Sequence, residues 1–189
     1  MSRIAEMYFE DDRAWNEWLE ANHSVSDGIY LIFYTVSHPM KSMRWEEAVQ
    51  VALRYGWIDS TVKSLGNGKR RQYFCPRKAG SVWSRLNKTY ILNMQQEGLM
   101  HSSGMKKVEE AKADGSWFEL DDVEDGIVPA DLRKAFHGNP VAWENYAGFS
   151  RTYQKGYLYW LHHARRPETR KARITEIIRL CEANIKTRS

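Results

Sequence analysis

The chain has almost no cysteine. Of its 189 residues only Cys75 and Cys181 carry a thiol. They stand far apart, in no CxxC or Cys/His spacing, which excludes a disulfide scaffold and a thiolate metal site. Such usage suits a reducing compartment, so a cytoplasmic protein is expected. Long apolar runs are missing too. The longest, Ile29 to Val36, is far too short to span a bilayer, so no membrane insertion is expected. Met1 to Phe9 includes Glu6 and no continuous apolar core, and does not read as a signal peptide. Charge of one sign is not in large excess either: 28 Lys and Arg stand against 24 Asp and Glu, a net +4. That balance permits anionic partners without arguing for them, and predicts no extended basic groove. Histidine lacks ligand spacing. His162 and His163 diverge by about 100° on a helix, and His23, His38, His101 and His137 are isolated, so neither a metal nor a cofactor is expected. Ser81 and Ser84 lie in no Gly-x-Ser-x-Gly context, and no established catalytic signature occurs.

What the chain has is aromatic bulk: eight Trp, ten Tyr and six Phe. Such content offsets ordering entropy and predicts a folded protein nearly throughout. Asp11 or Asp12 caps a helix bearing Trp15, Trp18 and Leu19 on one face. Asp27-Gly28 turns into Ile29 to Val36, whose β-branched and aromatic residues read as a central strand covered on both sides. Ser42 is the expected cap of the next helix, with Trp45, Ala48, Val49, Ala52 and Tyr55 on its buried stripe and Gly56 at its end. A hairpin follows: Ile58 to Leu65, a Gly66-Asn67-Gly68 turn, and Lys69 to Cys75, stopped by Pro76. From Ser81 the signal is helical, with Trp83, Leu86, Tyr90, Ile91 and Met94 on one face and Met105, Val108 and Ala111 on another short helix ending near Gly115. The acidic stretch Asp121 to Gly126 reads as a linker. Pro129 and Pro140 suit first helical turns, the latter capped by Asn139. Tyr153, Tyr157, Trp160, Leu161 and Ala164 form one later stripe; Ile174, Ile177, Ile178, Cys181 and Ile185 form the last. The expectation is an α+β protein: a 1–120 domain with a small N-terminal β-sheet, packed helices and a hairpin, then an all-helical module over 127–189.

Two clusters carry possible chemistry. In Gly56-Trp57-Ile58-Asp59, Trp57 and Asp59 are either the lip of a pocket or, more simply, a core ring and a turn acceptor. The second is a basic and aromatic run. Strand alternation sets Arg71, Tyr73 and Cys75 on one face and Arg70, Gln72 and Phe74 on the other. Beyond it, Ser81 or Ser84 opens a helix whose free N–H groups favour an anion, with Arg77 as a bidentate donor and Trp83, Arg85 and Asn87 close by. The alternative is an edge hairpin with Arg77 paired to Asp59 and Trp83 in the core. Cys75 lies in a basic neighbourhood that would lower its pKa, or is a half-buried structural thiol. The arginines of the last helix alternate with Glu168, Glu176 and Glu182, as on a solvated face.

Several stretches together resemble the YdeI/OmpD-associated family, also called the bacteriocin-protection family. They are AVQVALRYGWID (48–59), YFCPRKAGSVWSRLN (73–87), Gly98-Leu99-Met100 with Gly104, and the module from Pro129 onward with ARRPETRKARITEII. Cys75, Ser60 and the Gly-Asn-Gly turn depart from the family pattern. The resemblance implies an α+β fold and, through the family's name, resistance to antimicrobial peptides or a link to a porin. Together with the residues it leads to an expected binding or stress-protection protein. Its small anionic ligand would be held by Trp57, Asp59, Arg71, Tyr73, Arg77, Trp83, Arg85 and Asn87. The alternatives are an enzyme on a phosphorylated or carboxylated metabolite, with Asp59 as base and Arg77 as clamp, or an interaction module. Such a module would bind a protein partner, a second copy through the hairpin edge, or nucleic acid.

Overall fold

Strand β2 (Ile29–Tyr34) is flanked on both sides, by β1 (Glu6–Tyr8) and β4 (Lys69–Pro76), and β3 (Trp57–Gly66) pairs the far side of β4 in a computed structural model that describes residues 4–188. The order is β1-β2-β4-β3; β1 runs parallel to β2 and the other pairs are antiparallel. Parallel β1 needs a crossover, and α1 (Asp12–Asn22) supplies it. Asp11 caps α1 by accepting the Ala14 N–H at 2.9 Å. The β3–β4 turn carries Asn67 and Gly68 at φ 49° and 69°, a two-residue turn that needs left-handed backbone at both positions.

Helices α1 and α2 (Trp45–Arg54) cover one face of the sheet. Ile29, Leu31, Phe33 and Phe74 point into that layer and are buried with Trp15, Leu19, Ala48, Val49 and Ala52. The other face of β2 is only half covered: Tyr30 and Tyr34 are partly exposed. The strand is therefore central, fully covered on one side and partly on the other, where Ile32 is buried between two tyrosines whose rings pack while their hydroxyls reach water. Ser42 does not cap α2. Arg44 takes that position, and its N–H donates to Glu47 Oε2 at 2.6 Å.

Ser84 caps α3 (Arg85–Gln96), and α4 (Ser102–Asp114) ends at Gly115 in left-handed backbone. Trp83 precedes α3 and is buried. These elements complete a compact unit, Met1–Phe118.

The second unit, Glu119–Ser189, is helical. Its elements are α5 (Asp121–Asp125), α6 (Ala130–His137), α7 (Pro140–Gly148), α8 (Arg151–His162) and α9 (Pro167–Glu182). The stretch read as a linker is thus a short helix: Val123 is buried and the Glu124 carboxylate pairs with Lys155 of α8 at 2.8 Å. Acidic side chains in a first turn favour a helix as readily as a loop. Leu132, Phe136, Tyr146, Tyr157, Leu161, Ile177 and Cys181 fill this core, and burial pushes the Cys181 thiol up to about 12. Ile185 lies beyond α9 and is exposed. Among the described residues no helix is long and apolar enough to cross a membrane.

Two substitutions test this packing. A Cβ on Gly104 would sit 2.1 Å from the Arg54 carbonyl oxygen, so Gly104→Ala should destabilise the first unit by about 1–3 kcal/mol in urea unfolding despite alanine's helix preference. In the second unit Arg170 grips Asp131 through two hydrogen bonds of 2.5 and 3.0 Å and holds its carboxyl below the usual range. A depressed folded pKa stabilises above the unfolded value of about 3.9 and stops doing so as pH falls through the folded value. Arg170→Met should therefore weaken the acid dependence of thermal unfolding below about pH 4, modestly, because both groups are partly exposed.

Candidate functional site

The sequence-predicted residues do not gather at one place. Trp57 is 1% exposed; its ring packs edge-on against Trp15 and Trp18, and its indole N–H donates to the His23 carbonyl at 3.1 Å. Trp83 is equally buried, against Trp117. Arg77 is 4% exposed, with its guanidinium 3.6 Å from the Trp83 ring centre and donating to the Val82 carbonyl at 3.3 Å. Burial lowers its pKa to about 10, against the opposing pull of Asp59 and Cys75. The hollow beside it measures about 10 Å³, room for one water and not for a phosphate. Arg71 lies on the half-covered face, paired with Glu6 and stacked over Tyr30, while the Tyr73 hydroxyl donates to the Asp27 carbonyl at 3.1 Å. Asn87 accepts from the Ser84 hydroxyl in the first turn of α3, which Arg85 opens. Burial pushes the Cys75 thiol up, more than Lys78 and Arg77 pull it down. Arg77 and Trp83 thus meet each other, in the core; Arg71 and Tyr73 belong to another surface.

Asp59 leads to a different place. Strict alternation would put Asp59 and Val62 on opposite faces of β3. A bulge intervenes: Asp59 pairs with Phe74 and Val62 with Gln72, so three steps on β3 match two on β4. Both residues consequently share the face of Gln72 and Phe74. There Asp59 Oδ2 accepts the Trp45 indole N–H at 2.9 Å and a hydrogen bond from the Gln72 side-chain amide. Trp45 opens α2, so this three-residue link ties the start of that helix to the middle of the hairpin.

Next to the link the helical layer ends while the sheet continues, and a cleft of about 450 Å³ opens. It is lined by Phe33 and Tyr34 of β2, Met43 to Glu46 at the start of α2, Val62, Arg70 and Gln72. A second hollow of about 570 Å³ adjoins it along the hairpin and shares Tyr34, Arg44, Val62 and Arg70, with Lys69 and the Asn67–Gly68 turn beyond. Arg44 and Arg70 are exposed, and neither forms an ion pair among the described residues; Arg70 rests over the Phe33 ring at 5.3 Å. Two unneutralised guanidinium groups at the mouth of a partly apolar cleft can grip a carboxylate or phosphate in bidentate fashion. The expected alternation had already put Arg70 and Gln72 together on this face. Arg44 carried no signal, because a helix start was expected two residues earlier. Among the described residues no group of three or more His, Cys, Asp or Glu could hold a metal ion.

Residues 7–107 match the model of a domain of unknown function (DUF8412), and residues 125–184 match that of the bacteriocin-protection, YdeI or OmpD-associated family. The second match bears out the resemblance drawn over the C-terminal module. The stretches 48–59 and 73–87 fall inside the first match instead. No curated protein and no solved structure matches the chain.

The Trp45–Asp59–Gln72 link predicts that Trp45→Phe, which keeps a ring and removes the donor, will lower stability by about 1.5 kcal/mol in urea unfolding. Met43→Leu, at a neighbouring buried position without that hydrogen bond, should cost less.

Proposed function

We propose that this chain, which belongs to the DUF8412 family through residues 7–107, is a binding protein that takes a small anionic ligand in the cleft between α2 and the hairpin. The observation that supports this reading is the pair of exposed guanidinium groups, Arg44 and Arg70, facing one cleft without a carboxylate partner among the described residues. Side chains so placed lose little on meeting a phosphate or carboxylate, because no internal ion pair has to break first. Phe33, Met43 and Trp45 would receive the less polar part of the ligand. The C-terminal match, described as bacteriocin protection, supports a protective role for the whole protein.

The enzyme reading with Arg77 as clamp finds less support, since Arg77 lies in the core on Trp83. Asp59 already accepts from Trp45 and Gln72, which leaves it poorly placed to act as a base.

A thermal-shift screen with inorganic phosphate, sugar phosphates and nucleoside monophosphates tests the proposal. A ligand at about a hundred times its dissociation constant should stabilise by about 2.7 kcal/mol. Arg44→Ala and Arg70→Ala should each weaken binding by about tenfold. If the double variant retains every wild-type shift, the cleft is not the site.

A further inference from the structure

The second unit holds a hollow of its own. Helix α5 ends in two hydrogen bonds: Gly126, at φ 69°, donates to the Val123 carbonyl at 3.1 Å, and Ile127 donates to the Asp122 carbonyl at 2.8 Å. In such a helix end the residue after the glycine usually packs on the residue that accepts its N–H. Here that residue is Asp122, which offers no apolar surface, and Ile127 stays 48% exposed. With Val128 it lines a hollow of about 460 Å³ beside α6 and α7.

The rest of the lining is aromatic and basic. Arg133, Phe136 and His137 stand three and four residues apart, so they share one face of α6. Trp143 of α7 completes the hollow. Its ring lies edge-on to Phe136 at 5.5 Å and stacks with Tyr146 at 6.0 Å, yet the residue is 44% exposed. A ring held by two others keeps its orientation, and it loses little freedom when a ligand covers it. Arg133 is held as well: it donates to the Val128 carbonyl at 3.2 Å. Neither Arg133 nor His137 forms an ion pair among the described residues.

This lining selects a chemistry. The volume falls in the range of about 300–1,000 Å³ usual for small-molecule sites, which are mostly apolar with a few convergent polar groups. The rings of Phe136 and Trp143 suit a planar body. A single fixed guanidinium suits a single negative charge that accepts parallel N–H bonds, as a carboxylate does. A phosphate dianion would bring a second charge into apolar surroundings without a partner. A cationic ligand would be repelled by Arg133.

We propose that this hollow binds an aromatic monocarboxylate, its ring against Trp143 and Ile127 and its carboxylate on Arg133. The site lies wholly within the second unit and does not rest on the reading of the cleft at Arg44 and Arg70.

The test is isothermal titration of the whole chain with naphthoate. Naphthylmethanol keeps the rings without the charge, acetate keeps the carboxylate without the rings, and naphthyl phosphate carries the second charge. Naphthoate should bind at least tenfold more tightly than each of these. Arg133→Met should weaken naphthoate binding by at least tenfold and leave naphthylmethanol unchanged. Trp143→Ala should weaken both by about tenfold. Because Trp143 packs on Phe136 and Tyr146, Ile127→Ser at an exposed position serves as a second variant and should weaken both as well. The Arg44→Ala, Arg70→Ala double variant should bind naphthoate like the wild type. Loss of binding there would put the ligand in the first unit and overturn the inference. So would equal affinity for naphthoate and naphthylmethanol, or naphthoate binding that survives both Trp143→Ala and Ile127→Ser. Absence of naphthoate binding at millimolar concentration overturns it too, and leaves the phosphate reading of the first cleft untouched.

Discussion

Trp15 ties together the helices and the sheet of the first unit. Its ring is fully buried between Phe9, Trp18, Trp57 and Phe74, at centroid distances of 5.3 to 6.4 Å, and its indole N–H donates to the Ala48 carbonyl of α2 at 3.1 Å. One side chain on α1 therefore fixes α2 and touches both hairpin strands. Aromatic rings in tilted and edge-on contact resist sliding, and the buried N–H cannot lose its acceptor cheaply. With α2 held in this way, its first residue, Trp45, reaches Asp59, and the cleft acquires its floor and one wall. The cleft is thus a by-product of how far the helical layer extends over the sheet.

Much of this was legible in the chain. The cap at Asp11, the buried face of α1 and the turn at Asn67-Gly68 follow local rules of spacing and backbone geometry, and the structure repeats them. The alternation along β4 was also readable, because nothing disturbs its period of two. Strand β1 was not. Three residues are too few to show a period, and Glu6-Met7-Tyr8 becomes a strand only because β2 offers an open edge. The helical character of Asp121 to Asp125 was hidden for a similar reason: the buried Val123 and the ion pair of Glu124 with Lys155 are tertiary facts.

The candidate site was half legible. Composition marked the segment around the hairpin as basic and aromatic, but could not tell a ring that binds from a ring that packs. Trp57, Trp83 and Arg77 went to the core, where stacking and burial hold the arginine on a tryptophan. Asp59 faces the cleft side by simple alternation with Trp57, while the bulge beyond it, which no residue pattern announces, brings Val62 to the same side.

The bulge between Asp59 and Val62 does more than turn two side chains to one side. On its inner end Trp57 and Ile58 are anchored by the core and by their pairing with Pro76 and Cys75; on its outer end the strand is exposed as far as the turn. The extra residue acts as an expansion joint between a part that must keep its registration and a part that need not. Relatives could lengthen, shorten or recolour the outer hairpin without dislodging a single tryptophan, so a stable scaffold would be free to try new specificities at its tip.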